Sequence, residues 1–292
     1  MKKENYLHFV LYPKLFAIKK DFNTKNYIQE IYALTKRLII QGLKRPSFII
    51  TGILQPLLWL IFFGALFQHA PIEIFTFTTK YKYFISAGII VFTAFTSSLN
   101  AGLTLIFDRE FGFLNRLLSS PIESRYCVII SSTLNTIFIN FFQVFTIMYI
   151  CYFMGYHIVN YQNLFLIIIT LILLSNSITN ISLSLAFILP GHVELLACIL
   201  IINLPSLFSS TALAPLVFMP SWLQIIASIN PLSYAIETVR YAYINSSWNL
   251  NSIIIETVWG RANLLQILFI LFFFNIVSFI YVKQIISNKF EE

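Results

Sequence analysis

The chain has 292 residues, of which 58% are hydrophobic, 17% aromatic and only 11% charged, with a mean hydropathy of +0.79 and a formal net charge of +7. A soluble domain covers its surface with about 25% charged residues, so soluble enzymes, DNA-binding domains and disordered proteins are excluded. The charges are absent from whole stretches rather than diluted: residues 83–107, 126–193, 195–236 and 262–282 contain no Asp, Glu, Lys or Arg. That pattern is one of a polytopic membrane protein.

Residues 1–26 hold no apolar core ending in a small-residue cleavage site, so the first apolar run is expected to remain as a membrane helix. Within the N-terminal inner-side segment, residues 1–46, Ile28, Ile31, Tyr32, Thr35, Ile39 and Leu43 share one helical face, while Gln29, Glu30, Lys36, Arg37, Lys44 and Arg45 share the other. The pattern predicts an interfacial amphipathic helix with its cations near anionic headgroups, turned into the first span at Pro46.

A helix needs about 20 apolar residues to cross a hydrocarbon core of about 30 Å. By that measure a six-helix membrane domain over 47–283 holds spans near 48–67, 83–107, 128–153, 164–189, 195–218 and 264–282, with an inner-side tail at 284–292. The fold class expected is all-α. Six spans put both termini on one side, and with that side inside, 15 Lys and Arg fall in inner segments against four outside, Lys80, Lys82, Arg240 and Arg261. The positive charge is thus a topology signal, and no nucleic-acid partner is expected.

Much chemistry is missing. None of the nine glycines is followed by Lys, so the phosphate cradle GxxxxGK[ST] is absent and the chain is not expected to hydrolyse ATP. The middles of the spans carry no Asp, Glu, Lys or Arg of the sort proton-coupled carriers use, although Na⁺ can be held by carbonyls and hydroxyls alone. His8, His69, His157 and His192 lie far apart, and each reads as a plain interfacial residue; Cys127, Cys151 and Cys198 read as small buried hydrophobes. No metal, cofactor or catalytic residue is expected.

Two polar islands remain. The inner one runs from Asp108, Arg109 and Glu110 through Gly112, Phe113, Leu114, Asn115, Arg116, Leu117 and Leu118 to Pro121. Charges at its start and apolar residues on adjoining positions predict a short amphipathic helix, ended by Pro121, suited to a groove on a partner. The outer one, Asn230 to Arg240, has Pro231 where a first helical turn favours it, and Glu237 and Arg240 at pairing distance. Upstream, Trp222, Ile225, Ile226 and Ile229 predict that this outer segment dips back toward the bilayer before the last helix, as a re-entrant element lined by protein or a polar path.

In this order and spacing the islands resemble the membrane subunits of type 2 ABC transporters. The DRExGxLxxLLxSP-like pattern is met by Asp108, Arg109, Glu110, Gly112, Leu114, Leu117, Leu118, Ser120 and Pro121, and a Pro-Leu-x-Tyr-x5-Arg tail by Pro231, Leu232, Tyr234 and Arg240. The resemblance covers roughly residues 27–285. It implies an exporter permease that forms the translocation path as a dimer. A separate ATP-binding subunit would drive it through residues 108–121, while residues 231–240 would form a gate at the outer mouth. Asn115 stands where relatives often carry Glu, so a charge contact with the ATPase is either absent or supplied by Arg116 or Glu110.

Competing readings are an assembly factor of the cytochrome-maturation type and an ion-coupled carrier working alone; a lipid-modifying enzyme is disfavoured by the missing catalytic groups. A neighbouring ATP-binding cassette gene would support the exporter, and neighbouring haem-handling genes the assembly factor. Heavy use of Ile, Phe and Asn with little Ala suggests an AT-rich genome. Together with a resemblance to permease-like proteins of algal plastids, this points to a plastid membrane, with a bacterial inner membrane as the alternative.

Overall fold

The computed structural model describes residues 24–66, 81–120, 124, 126–154, 160–245 and 248–291. Pro121, Arg125, Phe67, Lys80, the histidines at 8, 69 and 157, and residues 155–159 of the turn expected at 155–161 between the third and fourth spans lie outside the described residues. In chain order the helices are α1 (Thr24–Leu43), α2 (Pro46–Leu66), α3 (Tyr81–Leu99), α4 (Ala101–Glu110), α5 (Phe113–Ser119), α6 (Tyr126–Phe153), α7 (Tyr161–Ile188) and α8 (His192–Phe208). A 3₁₀ turn at Leu216–Phe218 follows, then α9 (Ser221–Ile229), α10 (Pro231–Ile244), a hairpin of β1 (Ile253–Thr257) and β2 (Gly260–Asn263), and α11 (Leu264–Glu291).

Five helical segments are long and apolar enough to cross a membrane: α2, α3 continued by α4, α6, α7 and α11. The fifth span expected, 195–218, is shorter in the structure. Helix α8 has 17 residues, which is about 25 Å and less than the bilayer core. Its end has a local cause: Pro205 lies in the last turn and brings no N–H. Beyond it the Ser210 hydroxyl donates to the Leu207 carbonyl (2.7 Å) and accepts from the Ala212 amide (3.3 Å), turning the chain.

The central helix is α3, almost wholly buried among α2, α6, α7 and α10. Lipid tails are as apolar as leucine, so such helices gain by packing backbones closely through small residues, and α3 supplies Ser86, Ala87, Gly88, Ala94, Ser97 and Ser98. At Gly88 a Cβ would lie 2.6 Å from the Ala212 carbonyl oxygen, so only glycine lets the turn after α8 sit there. Two of the buried hydroxyls of α3 are satisfied within the helix, Thr93 donating to the Ile89 carbonyl (2.7 Å) and Ser98 to the Ala94 carbonyl (2.7 Å). Amides bridge between helices: Asn140 donates to Ser98 (2.9 Å) and Asn176 to Asn275 (3.0 Å).

The second span is interrupted at Asn100, where α3 gives way to α4. Ser182 of α7 enters the break, donating its hydroxyl to the Leu99 carbonyl and accepting from the Gly102 amide (2.9 Å). A Cβ on residue 102 would sit 2.5 Å from the Ser182 carbonyl oxygen, so the close approach depends on glycine.

Helix α1 runs alongside α6 in the same direction. Cys127 donates to Glu30 (3.4 Å), and Gly42 faces Ile139, so a constant offset of 97 residues is kept for about three turns. Its protein-facing stripe contains Glu30, Arg37 and Leu38. The apolar residues Ile28, Tyr32 and Leu43 stay exposed.

The hairpin was not anticipated from the all-α pattern. Glu256 and Arg261 face each other across it and pair at 2.9 Å, and Gly260 takes φ +127° after the two-residue turn Val258-Trp259.

Candidate functional site: polar side chains at broken helix ends

The ends of the bundle are built from helices that stop abruptly, and each stop leaves carbonyls or amides without partners. One end, the basic rim, holds the α4–α5 turn, the α7–α8 turn and α1. The opposite end holds α9, α10 and the hairpin.

At the basic rim the chain turns at Leu189-Pro190-Gly191. Residue 190 would ordinarily donate to the Ala186 carbonyl, but proline has no N–H. Arg109 replaces it: its guanidinium donates to the carbonyls of Ala186 (2.9 Å), Leu189 (2.5 Å) and Pro190 (2.6 Å). A cation also complements the negative end of α7. Glu110 does the reverse at the start of α8, accepting from the His192 amide (2.8 Å) and from its Nδ1 (2.8 Å). Asp108 reaches the other way and takes both terminal nitrogens of Arg37 on α1, one at 3.2 Å. Three consecutive charges thus grip three different elements.

Helix α4 ends on Gly112, whose φ of +73° is open to glycine at little strain. From there α5 folds back. Leu114 is buried, Leu117 is half-buried against the core, and Phe113 lies under the Arg37 guanidinium at 3.8 Å from its ring centre. The outward surface is therefore Phe111, 73% exposed, with Asn115 and Arg116. The backbone places Leu118 on α5. Of Arg116 and Glu110, the outward-facing charge is Arg116, since Glu110 is bonded to His192. That partnership gives His192 a role beyond a plain interfacial residue; the signal was its position just after Pro190-Gly191, at a helix start.

The second island treats the opposite end alike. Pro205 and the turn after it leave the end of α8 short of donors. Asn230 supplies one to the Ser206 carbonyl (3.0 Å), and Arg240 one to Thr211 (2.8 Å). The Asn230 Oδ1 also accepts from the Leu232 amide (3.0 Å), capping α10 ahead of Pro231. Pro231 denies α9 a further donor, and the Tyr234 hydroxyl donates to the Ser228 carbonyl at its end (2.7 Å). Arg240 is 5% exposed, pairs with Glu237 as expected from their spacing, and lies 3.6 Å from the centre of the Phe84 ring. Asn163 closes the last end, donating to the carbonyls of Ala242 (2.9 Å) and Asn245 (2.5 Å). Sequence reading missed Asn163 and Ser182, which have no motif around them.

Of the cations expected on α1, Arg37 points into the protein, while Lys36, Lys44 and Arg45 are exposed. Among the described residues no cluster of His, Cys, Asp or Glu could hold a metal ion.

A bundle of apolar spans whose two polar islands tie broken helix ends together is the architecture of a membrane permease. Residues 29–244 match the ABC-2 type transporter family, ABC2_membrane, and the chain belongs to that family. Over 262 residues it is 50% identical to the transport permease ycf38 of Porphyra purpurea, covering 90% of each chain, and 51% identical to that of Pyropia yezoensis over the same length and shares. The ycf38 permease of Cyanophora paradoxa is 50% identical over 264 residues, covering 90% of this chain and 91% of its own. These homologues are encoded in algal plastid genomes. The family's membrane domain is a transport subunit, is not itself catalytic, and normally works with an ATP-binding subunit.

Proposed function

We propose that this protein is the permease of an ATP-driven exporter in a plastid membrane, working as a dimer with a separately encoded ATP-binding subunit and with both termini on the ATPase side. The observation that carries this reading is the grip of Asp108, Arg109 and Glu110 on α1, the end of α7 and the start of α8. A push on α5 is delivered to three elements at once, and the break at Asn100 gives the second span a place to yield. The outward face of Phe111, Asn115 and Arg116 meets the ATPase; the three acidic and basic residues before it act as internal linkage. Helices α9 and α10 form a re-entrant pair, supported by the exposed apolar face of Trp222, Ile226 and Ile229 and by the packing of α10 against α3 and α7. Tyr234, Glu237 and Arg240 keep that pair in register as an outer gate. The exposed Ile28, Tyr32 and Leu43 face lipid, with Lys36, Lys44 and Arg45 near headgroups.

The test is co-purification with the ATPase. A Phe111→Asp/Arg116→Glu double variant should lose the ATPase at least about tenfold, since a buried apolar anchor and a charge contact together exceed the 1.4 kcal/mol of one decade, while still inserting and running as a single species. Undiminished co-purification would remove the docking role. Orientation is checked separately in a background without native cysteines: single cysteines at Ser119 and Val258 should react with an impermeant maleimide from opposite sides. Reaction from one side would overturn the topology.

A further inference from the structure

Two cavities meet where α1 passes α6. The first, about 200 Å³, is walled by Ile39, Leu43, Phe138 and Phe142 and is entirely apolar in character. The second, about 100 Å³, lies on the other flank of Gly42 and adds Gln41, Arg45 and Asn135 to apolar walls from α4. Gly42 and Ile139 line both, so they form one groove with an apolar limb and a polar limb. Gly42 leaves the groove open because it has no side chain; a Cβ there would touch only Ile139, at 3.9 Å.

The polar limb is unfinished. Asn135 is 4% exposed, and its Oδ1 is buried with no hydrogen-bond partner, a state that is costly for an amide oxygen and calls for a donor. At the mouth, the Arg45 guanidinium is exposed at the α1–α2 elbow. It lies 6.0 Å from the centre of the Phe107 ring and has no carboxylate partner among the described residues. The surroundings are apolar on both sides, with Tyr32 and Leu43 of α1 and Phe138 and Phe142 of α6 exposed.

An apolar limb, a cation at the rim and a buried acceptor within reach of the same opening match one kind of molecule. The geometry points to a binding site for a single anionic membrane lipid whose headgroup carries a hydroxyl, drawn from the leaflet at the basic rim. An acyl chain lies against Phe138 and Phe142, the anionic group faces Arg45, and a headgroup hydroxyl donates to Asn135 once its side chain turns into the limb. A free phosphate ester could satisfy Arg45 but would leave the apolar limb empty. Occupancy would wedge α1 against α6 one helical turn from the Arg37–Asp108 contact. The site does not depend on the chain being an exporter.

The experiment uses the full chain in phosphatidylcholine nanodiscs doped with a minor fraction of phosphatidylglycerol, with bound lipid counted by native mass spectrometry. The native chain should retain one phosphatidylglycerol, in preference to phosphatidylmethanol, a phosphodiester of the same charge that lacks the headgroup hydroxyl. Arg45→Gln should lower retention about fivefold, the size of effect one basic residue exerts at a membrane surface. Gly42→Leu, which fills the groove, should lower it at least as much, and Asn135→Leu should erase the preference over phosphatidylmethanol. Lys283→Gln removes another cation of the rim from outside the groove and should change nothing. Each variant is compared only if it elutes as a single species; Arg45→Gln, on the surface, keeps the test open should the buried changes misfold. Equal retention by Arg45→Gln and the native chain would overturn the proposal, as would equal loss in Lys283→Gln or displacement of the lipid by glycerol 3-phosphate.

Discussion

Arg109→Ala should destabilise the folded chain by roughly 3 kcal/mol or more, because a hydrogen bond from a charged donor contributes about 1.5–3 kcal/mol and three carbonyls lose theirs together. Pro190 removes the ordinary donor to Ala186, so no backbone group can step in. The Pro190 carbonyl is at the surface and water can replace Arg109 there, which keeps the total below the sum of three bonds. Arg109→Lys should recover only part, since a single ammonium lacks the planar fork that spans the carbonyls of Ala186, Leu189 and Pro190. The measurement is reversible unfolding in mild detergent, following the loss of the monodisperse species. A change under about 1 kcal/mol for the alanine variant would mean that the end of α7 is held by something other than Arg109.

Arg240→Leu should be as damaging for a different reason. Removing one partner of a buried ion pair leaves the other uncompensated, at about 3–5 kcal/mol, and Glu237 and the Thr211 carbonyl would both be left in this state. The Glu237→Gln/Arg240→Leu double variant should then be more stable than the single one, because the orphaned charge is gone even though the helix end stays open. Double and single variants of equal stability would show that the pair contributes nothing and that the Thr211 contact carries the effect alone. The two variants also divide the machinery by end: damage at Arg109 should disturb ATPase co-purification as well as stability, whereas damage at Arg240 should spare it.

Much of this was legible in one dimension. Runs without charge marked α2, α3, α6, α7 and α11 because burying a backbone in lipid demands long helices of apolar residues, and the demand is written residue by residue. The pairing of Glu237 with Arg240 followed from helical spacing, and Pro46 and Pro231 announced helix boundaries. The fifth span was read too long because 195–218 has no charge to mark its end, and hydropathy does not register that Pro205 and Ser210 break a backbone ladder. The break at Asn100 was invisible for a similar reason: it rests on Ser182, 82 residues away, inserting its hydroxyl. The hairpin had a local signal, β-branched Ile253, Ile254 and Ile255 followed by Gly260, which the expectation of an all-α chain passed over.

The amino-acid order by itself determined that this chain lives in a membrane, where its long apolar helices run and which two segments carry its polar chemistry. Those properties follow from burial and backbone hydrogen bonding, which act within a single helix. Only the tertiary structure decided the direction in which the polar residues act. Asp108, Arg109 and Glu110, read in a row, look like a charged surface; folded, Arg109 closes the end of α7, Glu110 caps the start of α8 and Asp108 holds Arg37 on the flank of α1, because all three elements pass within reach of one turn of α4. Which carbonyl lacks a donor is a property of where helices end in space, and the side chain that supplies it is found only when those ends are brought together.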